Sequence, residues 1–474
     1  MKKKESGEQS FTHMASSLEI SRREFFKRMG LLSGGIVVYI SLDDPSSWAQ
    51  QPSAINAFLR IGADGRVTCF SGKIEMGQGI VTSLAQMLGD ELGVPLTSID
   101  MVMGDTSLCA YDMGTFGSLS TKTFGVALRR AAAEARAVLI QMAAEHLQIS
   151  PERLIVKDGE VIDPHNPDKK VTYASLTRGK RIERHLKESI STQDLSQHTI
   201  SGKAVGRTDA KQKVTGEARY TGDIRLPDML YAKILRPPVH GAKIKRVDTE
   251  DANKVKGVLV IQDDDLIAVL HKYPDEAEKA LEMVQAEYEL PEPKVDNSTI
   301  FEHLLNSAPP REVVAESGNL EGGRKLAAKT FESAYLNHYV AHAPIETHTA
   351  VVDIEGSKAT VWASTQTPFW AQKEVARTLG FASRDVRVIT PFVGGGYGGK
   401  TRNQQVIEAA RLARLSGRPV QVAWSRKEEF FFDTFRPAAV IKVKSGLDNT
   451  NRIVYWDYEN YFAGARSSQP FYDI

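Results

Sequence analysis

From residue 58 onward the apolar positions fall into short runs cut by glycine, aspartate and proline. Phe58, Leu59 and Ile61 lead into Ala63-Asp64-Gly65, and Val67, Cys69 and Phe70 follow, which predicts a β-hairpin. Apolar residues at helical spacing predict helices over Thr82 to Leu92 and Leu128 to Leu147, with a short strand over Ile99 to Met103 between them. The stretch Gly104 to Thr123 breaks this pattern with small hydroxyl residues. It reads as a long polar loop, and long loops inside compact regions usually serve a function.

Residues 150 to 198 alternate short apolar runs with charged turns and read as a connecting segment. Strands are predicted at Leu230 to Leu235 and Val258 to Ile261, and an amphipathic helix over Asp275 to Glu287; Pro291 and Pro293 mark the linker out. Ala350 to Ile354 and Ala359 to Ala363 read as paired strands, with Ser364-Thr365-Gln366 at the mouth of the second. A strand over Asp385 to Ile389, the glycine-rich stretch Phe392 to Thr401 (FVGGGYGGKT) and a helix over Gln404 to Leu415 complete the pattern.

Length and charge exclude several classes. The chain has 474 residues, enough for two or three cores, and its 60 Lys and Arg against 59 Asp and Glu give no bulk field for nucleic acid or anionic lipid. Cys69 and Cys109 are the only two cysteines, so an iron-sulfur cluster needing four thiolates, or a cysteine-based zinc site, must lie elsewhere. Burial habits favour two unpaired thiols over a disulfide.

Near the amino terminus Ser21-Arg22-Arg23-Glu24-Phe25-Phe26-Lys27 precedes the apolar run Ile36 to Ile40. The paired arginines ahead of an apolar run read as a twin-arginine export signal, and the run is shorter than the ~20 residues of a membrane-spanning helix. That route carries proteins already folded around a cofactor, so the signal predicts a periplasmic protein loaded in the cytoplasm.

Five glycines within Gly394 to Gly399 describe a backbone built for close approach. Gly394 to Thr401 also spells G-x-x-x-x-G-K-T, the pattern that cradles nucleotide phosphates, with Lys400 on phosphate, Thr401 on magnesium and Asp457 after an apolar strand. The export signal opposes that reading, since ATP is scarce outside the cytoplasm. If phosphate is not bound, Lys400 is expected to be solvated or to cap backbone. His338, His342, Glu346 and His348 are dense but form no H-E-x-x-H pattern, and read as structural histidines rather than a metal site. Phe430, Phe431, Phe432 and Phe435 read as core and subunit contact rather than a base-stacking platform.

The segment Gly72 to Gly79 (GKIEMGQG), the loop GTFGSLST, Ser364-Thr365-Gln366 and FVGGGYGGK occur together. Jointly they resemble the molybdenum-cofactor-binding large subunit of the xanthine dehydrogenase and aldehyde oxidase family. The permuted, exported isoquinoline 1-oxidoreductase β-subunit type is the nearest likeness, because Gln78 stands upstream of Gly394. The resemblance implies a mixed α/β and α+β fold. It divides the chain into a signal and linker (1–54), a permuted molybdopterin-binding segment (55–150), a connecting segment (151–208), a hammerhead domain (209–294) and a further molybdopterin-binding domain (295–474).

The resemblance also implies chemistry. The family hydroxylates a substrate carbon with oxygen from water at a molybdenum-pyranopterin, here expected in the cytosine dinucleotide form, which no protein side chain ligates. Gln366 is similar to the glutamine that contacts a molybdenum oxygen ligand. Gly395, Gly396 and Tyr397 resemble the backbone packed beside the metal; Gly77, Gln78 and Gly79 resemble the pterin-holding segment; and Phe116, Gly117 and Ser118 resemble the loop lining the cofactor. Thr401 stands where purine-oxidising members carry glutamate, so an aldehyde or N-heteroaromatic is the implied substrate. Electrons are expected to pass to a [2Fe-2S] subunit and then to a c-type cytochrome. The family's general-base glutamate has no match, which implies an active site completed by further polypeptide, or a truncated chain. The alternatives are a catalytically silent exported scaffold and a P-loop nucleotide-binding protein.

Overall fold

The computed structural model describes residues 35–41, 55–178, 181–185, 191–293 and 295–464. The arginine pair of the expected export signal and the segment after residue 464 lie outside the described residues. The described residues form two compact units: those up to 235, with 248–285 and 344–429, make the first, and those in 236–247, in 286–343 and from 430 onward make the second.

The first unit contains two sheets. One runs in the order Ile99–Met103, Val67–Ser71, Ile55–Gly62, Gly35–Ser41 and Arg181–His185. The hairpin joining its second and third strands is antiparallel, Ile61 opposite Val67, as the alternation predicts. The apolar run expected in the export signal is a strand here, paired antiparallel with Ile55–Gly62. Two helices, Ile80–Leu92 and Val126–Leu147, carry the apolar stripe that covers this sheet, burying Leu84, Leu88, Leu92, Leu128 and Leu139 with Leu59, Ile61 and Val67. A π-helical turn over Ser120–Gly125 opens the longer helix.

Residues 150 to 198 are more than a connection. Three antiparallel strands, Ile155–Lys157, Glu160–Asp163 and Asn166–Thr172, place Val161 and Val171 in the same core, and the short helix Tyr173–Thr177 adds Tyr173 and Leu176. The Tyr173 hydroxyl donates to the Leu92 carbonyl at 2.7 Å, closing the end of the Ile80–Leu92 helix. The isolated apolar residues were too sparse to reveal a core contribution made at long range.

The other sheet orders Leu259–Asp263, Leu266–His271, Leu230–Ile234, Val420–Ala423, Thr349–Glu355, Lys358–Ala363 and Val386–Ile389. The last two are parallel, so the segments leaving them emerge at the same end of the sheet. Pro368–Leu379 and Gln404–Ser416 are the helices that follow those segments, each ended by a left-handed glycine, Gly380 and Gly417. Gly104 and Thr106 join the two sheets: Thr390 N donates to Gly104 O and Thr106 N to Val388 O, both at 3.0 Å. The stretch read as a long polar loop buries Asp105, Thr106, Cys109, Asp112 and Thr115. Cys69 and Cys109 are both free and buried, and burial raises both thiols, Cys109 to about 12.

The expected Asp275–Glu287 helix is shorter than its pattern. It spans Pro274–Glu282, and Gln285–Glu289 is a strand paired with Lys243–Asp248. Pro274 and two acidic residues set the helix start, whereas the alternation of Gln285-Ala286-Glu287-Tyr288-Glu289 suits an edge ribbon.

The second unit is built on an antiparallel sheet of Lys329–Asn337, Ala439–Leu447 and Ile453–Phe462. Ile300 and Leu304, from the Ile300–Asn306 helix, bury Val440 and Ala438 on one of its faces. Asp457, the acidic residue the phosphate reading required, belongs to this unit and is ion-paired with Arg324 at 3.0 Å. The phenylalanine run does not enter the core: Phe431, Phe432 and Phe435 are half-buried, Phe430 is half exposed, and Phe431 stacks on His240 at 4.0 Å between ring centres.

Candidate functional site

Because Lys358–Ala363 and Val386–Ile389 are parallel neighbours, the Ser364-Thr365-Gln366 stretch and the glycine loop leave the sheet side by side. Hydrogen bonds lock them together. Gln366 N donates to Lys400 O at 2.7 Å, and Thr365 Oγ1 donates to Asn403 Oδ1 at 2.6 Å. The Gln366 side chain is buried between two other segments: its Oε1 accepts from Gly398 N at 3.0 Å, and its Nε2 donates to Thr115 O at 2.6 Å. Thr115 N returns a bond to Gln366 O at 3.0 Å.

Thr115 also reaches the amino-terminal glycine segment. Its Oγ1 accepts from Ile74 N at 2.8 Å, and the neighbouring Lys73 ammonium donates to Asp112 Oδ1 at 2.9 Å and Gly114 O at 2.8 Å. A Cβ added at Gly396 would lie 2.5 Å from Gln366 Oε1 and 3.1 Å from Met76 Sδ. Only glycine fits there. Four segments scattered from residue 72 to residue 401 thus meet at one place.

The residues singled out from the sequence divide at this point. Gln366 and Gly396 are in the packed centre. Gly395 and Tyr397 lie on the same loop, Tyr397 at φ 55 and 73% exposed, a left-handed conformation rare for a non-glycine residue. Phe116 is half-buried, and Gly117 and Ser118 turn left-handed at φ 68 and 56, just after Thr115. Gly77 and Gln78 are exposed. The amides of Gly77 and Gly79 turn inward: Gly77 N and Gly79 N both donate to Glu75 Oε1, at 2.8 and 3.2 Å. The Gln78 amide is likewise turned onto its own loop, accepting from Met76 N at 2.7 Å and donating to Ile74 O at 2.9 Å.

Lys400 corrects the expectation of a solvated side chain. It is fully buried and ion-paired with Glu346 Oε2 at 2.8 Å, which also accepts from Gly394 N at 2.8 Å. Burial lowers the Lys400 pKa, and the adjacent Glu346 carboxylate works against that shift. The loop amide and lysine that would hold a phosphate are therefore occupied by a carboxylate of the same chain. Thr401 Oγ1, the other group of that reading, donates to Gly398 O at 2.7 Å.

The dense histidine region disperses among separate partners. His338 packs on the Phe301 ring, His342 Nδ1 lies 3.1 Å from Asp433, and His348 is buried 3.0 Å from Glu429. Glu346 turns to the glycine loop instead.

Three sets of contacts escaped the sequence reading. Glu75 accepts from Gly77, Gly79 and Val81 amides, the last at 3.1 Å in the first turn of the Ile80–Leu92 helix. An acidic residue just ahead of a helix is a visible signal. Arg207 donates to Glu75 at 3.0 Å and to Gly77 O at 2.8 Å while pairing with Asp209. Lys400 and Glu346 are the third, and a separation of 54 positions in the chain hides their pairing.

Known proteins share these segments. Residues 13–218 and 305–471 match two family models for a molybdopterin cofactor-binding domain, and residues 215–269 match the a/b hammerhead domain of aldehyde oxidase and xanthine dehydrogenase. A nicotinate dehydrogenase subunit of Pseudomonas putida is 28% identical over 415 residues, which is 85% of this chain and 35% of that protein. The β-subunit of isoquinoline 1-oxidoreductase from Brevundimonas diminuta is 26% identical over 497 residues, 92% of this chain and 63% of the relative. The chain therefore spans about a third of one relative and under two thirds of the other. The solved quinoline 2-oxidoreductase from Pseudomonas putida 86 is 23% identical with a TM-score of 0.47, covering 55% of this chain and 39% of that one. The chain therefore carries two molybdopterin cofactor-binding domains flanking an a/b hammerhead domain of the kind found in aldehyde oxidase and xanthine dehydrogenase.

Proposed function

We propose that this chain is the molybdopterin-binding portion of an exported molybdenum hydroxylase that oxidises an aldehyde or an N-heteroaromatic compound. The observation that carries the reading is the meeting of Met76, Thr115, Gln366, Gly396 and Gly398 around one buried amide. A molybdenum-pyranopterin, when bound, supplies the redox centre at which water-derived oxygen is transferred to carbon.

Groups in the site fit such a cofactor. Gln366 Nε2 carries two hydrogens and spends one on Thr115, leaving a donor for an oxygen atom. Glu346 Oε1 is buried with no hydrogen-bond partner, leaving an acceptor for a pterin N–H. The missing Cβ of Gly396 keeps the loop backbone close to the Gln366 amide.

The chain's own residues contribute position and electrostatics. Gln366 is oriented at both ends of its amide, so its remaining hydrogen points in one direction. Glu75 and Glu346 are poor choices for a general base, since Glu75 accepts from three amides and Arg207, and Glu346 from Gly394 and Lys400. The base belongs outside these two loops.

The finer reading is the permuted isoquinoline-type branch, exported to the periplasm by the twin-arginine route. A relative named for isoquinoline 1-oxidoreductase supports it, as does the order of matches, with one molybdopterin-binding segment ahead of the hammerhead domain. The cofactor is the cytosine dinucleotide form, and electrons leave through a [2Fe-2S] subunit to a c-type cytochrome. Chemistry at such a centre releases two electrons per turnover, and the two thiols of this chain are too few to hold a cluster. Thr401 in place of a carboxylate favours substrates other than purines.

Co-expression with the neighbouring genes, followed by measurement of molybdenum and pterin in the purified protein, tests the reading. Near-stoichiometric amounts of both are expected. Their absence overturns it in favour of a scaffold subunit without cofactor.

A further inference from the structure

We propose that the buried Glu346–Lys400 pair is the positioning clamp that closes the glycine loop and so aims the Gln366 amide. The inference rests on the cofactor reading for its purpose, but the clamp itself is a property of the chain alone.

The loop from Gly394 to Lys400 is gripped at both ends by one carboxylate oxygen. Glu346 Oε2 accepts from Gly394 N at the start of the loop and from the Lys400 ammonium at its end, each at 2.8 Å. Glu346 N adds a bond to Gly394 O at 3.1 Å, so Gly394 is held through donor and acceptor together. A Cβ on Gly394 would lie 2.5 Å from the Glu346 Cβ, which explains glycine at the gripped position. Without the clamp, the five glycines of this loop would have wide backbone freedom.

What the loop holds is Gln366. Lys400 O accepts from Gln366 N, and Gly398 N donates to Gln366 Oε1, so the gripped loop fixes both the backbone and the side chain of that glutamine. Thr115 O then takes one Nε2 hydrogen. An amide anchored in this way presents its second hydrogen in one orientation. Lys400 and the Oε2 of Glu346 act through Gln366 and are positioning groups, whereas Glu346 Oε1 is left as the acceptor offered to the pterin.

The ion pair is suited to this task because it lies out of water: Lys400 is 0% exposed and the Glu346 side chain 13%. Such a pair loses little to screening by salt. It also carries a cost, since removal of one partner strands the other charge, and the test separates that cost from the geometry.

Hydrogen exchange of the unloaded full chain reads the clamp directly. In Lys400→Met the amides of Gly394 and Gly398 are expected to lose protection by about tenfold or more, the scale of one lost charge-assisted hydrogen bond, while Val352 and Val422 in the sheet keep theirs. The double variant Glu346→Gln with Lys400→Met strands no charge. Loosened loop amides in the double variant support the clamp. Restored protection overturns it, because the effect was then only the stranded charge. Equal loss of protection across loop and sheet in both variants also overturns it, by showing that the pair holds the whole unit. Pterin retention supplies the second readout: it is expected to fall in both variants and to persist in Val352→Ala, a core truncation of similar destabilisation away from the loop. Wild-type protein without pterin sinks the cofactor reading and leaves the exchange result to decide the clamp.

Discussion

The two glycine-rich loops of the site are each organised by one glutamate, in different surroundings. Glu75 folds its loop from within: three amides of Gly77, Gly79 and Val81 turn inward to it, and its cationic partner Arg207 is partly exposed, with 37% of its side chain in solvent. Glu346 grips its loop from another element, with a lysine that no solvent reaches. The first loop is a local turn that would form from nearby residues; the second depends on a contact across 54 residues of chain. Local ordering costs little entropy and tolerates water, whereas a distant grip on a flexible loop requires a strong, unscreened interaction.

This contrast predicts unequal losses. Lys400→Ala breaks the buried pair and is expected to destabilise the first unit by about 3–5 kcal/mol in chemical denaturation, because Glu346 is left charged or must take up a proton. A loss of about 2 kcal/mol or less would be no larger than that expected on opening the first loop and would remove the distinction. Glu75→Ala removes the acceptor from three amides, which can turn to water because Gly77 is exposed; about 2 kcal/mol is expected by the same measurement.

Gly396→Ala sharpens the comparison from the other side. Its new methyl would meet Gln366 Oε1 at 2.5 Å, where the amide is fixed at both ends and cannot yield cheaply. A loss of about 1–3 kcal/mol is expected, with a fall in pterin content larger than the stability change alone would give. The matching change Gly77→Ala meets nothing within 4 Å and suffers only from its backbone at φ 106, so pterin content should change less if that loop is self-contained.

The parts legible in the sequence were those set by short-range pattern. The hairpin around Gly65, the two helices beside it and the strand–glycine loop–helix order near Gly394 follow from periodicity and turn chemistry alone. The convergence of Gln366 with Thr115 was implied only by resemblance, since 251 residues separate them. Lys400 was misread because a lysine at the end of a glycine run looks solvated unless its buried carboxylate is known, and no local pattern announces Glu346. Residues 150 to 198 were underread for a related reason: Val161, Val171 and Tyr173 owe their burial to helices far away in the chain. Charge pairing and core membership at long range are properties of the fold, and short windows of sequence do not carry them.

The smallest expected effect lies at the rim of the first loop. Arg207 holds Asp209 by side-chain hydrogen bonds, which lower that carboxyl from an ordinary 3.8 to about 2, with Lys213 adding to the shift and burial opposing it. A carboxyl whose pKa is lower in the folded state favours folding above about pH 4, and that contribution is lost as pH falls through about 2. Arg207→Ala removes the main cause of the shift, so the Asp209 pKa should rise and its contribution should fade at a higher pH. Because Arg207 is partly exposed, the loss at neutral pH is expected to be about 1 kcal/mol or less, and smaller still in high salt. Acid titration followed by circular dichroism checks both points. An unchanged acid midpoint together with full salt sensitivity in the variant would mean that Glu75 holds its loop without Arg207, and the first loop would then be fastened by main-chain amides alone.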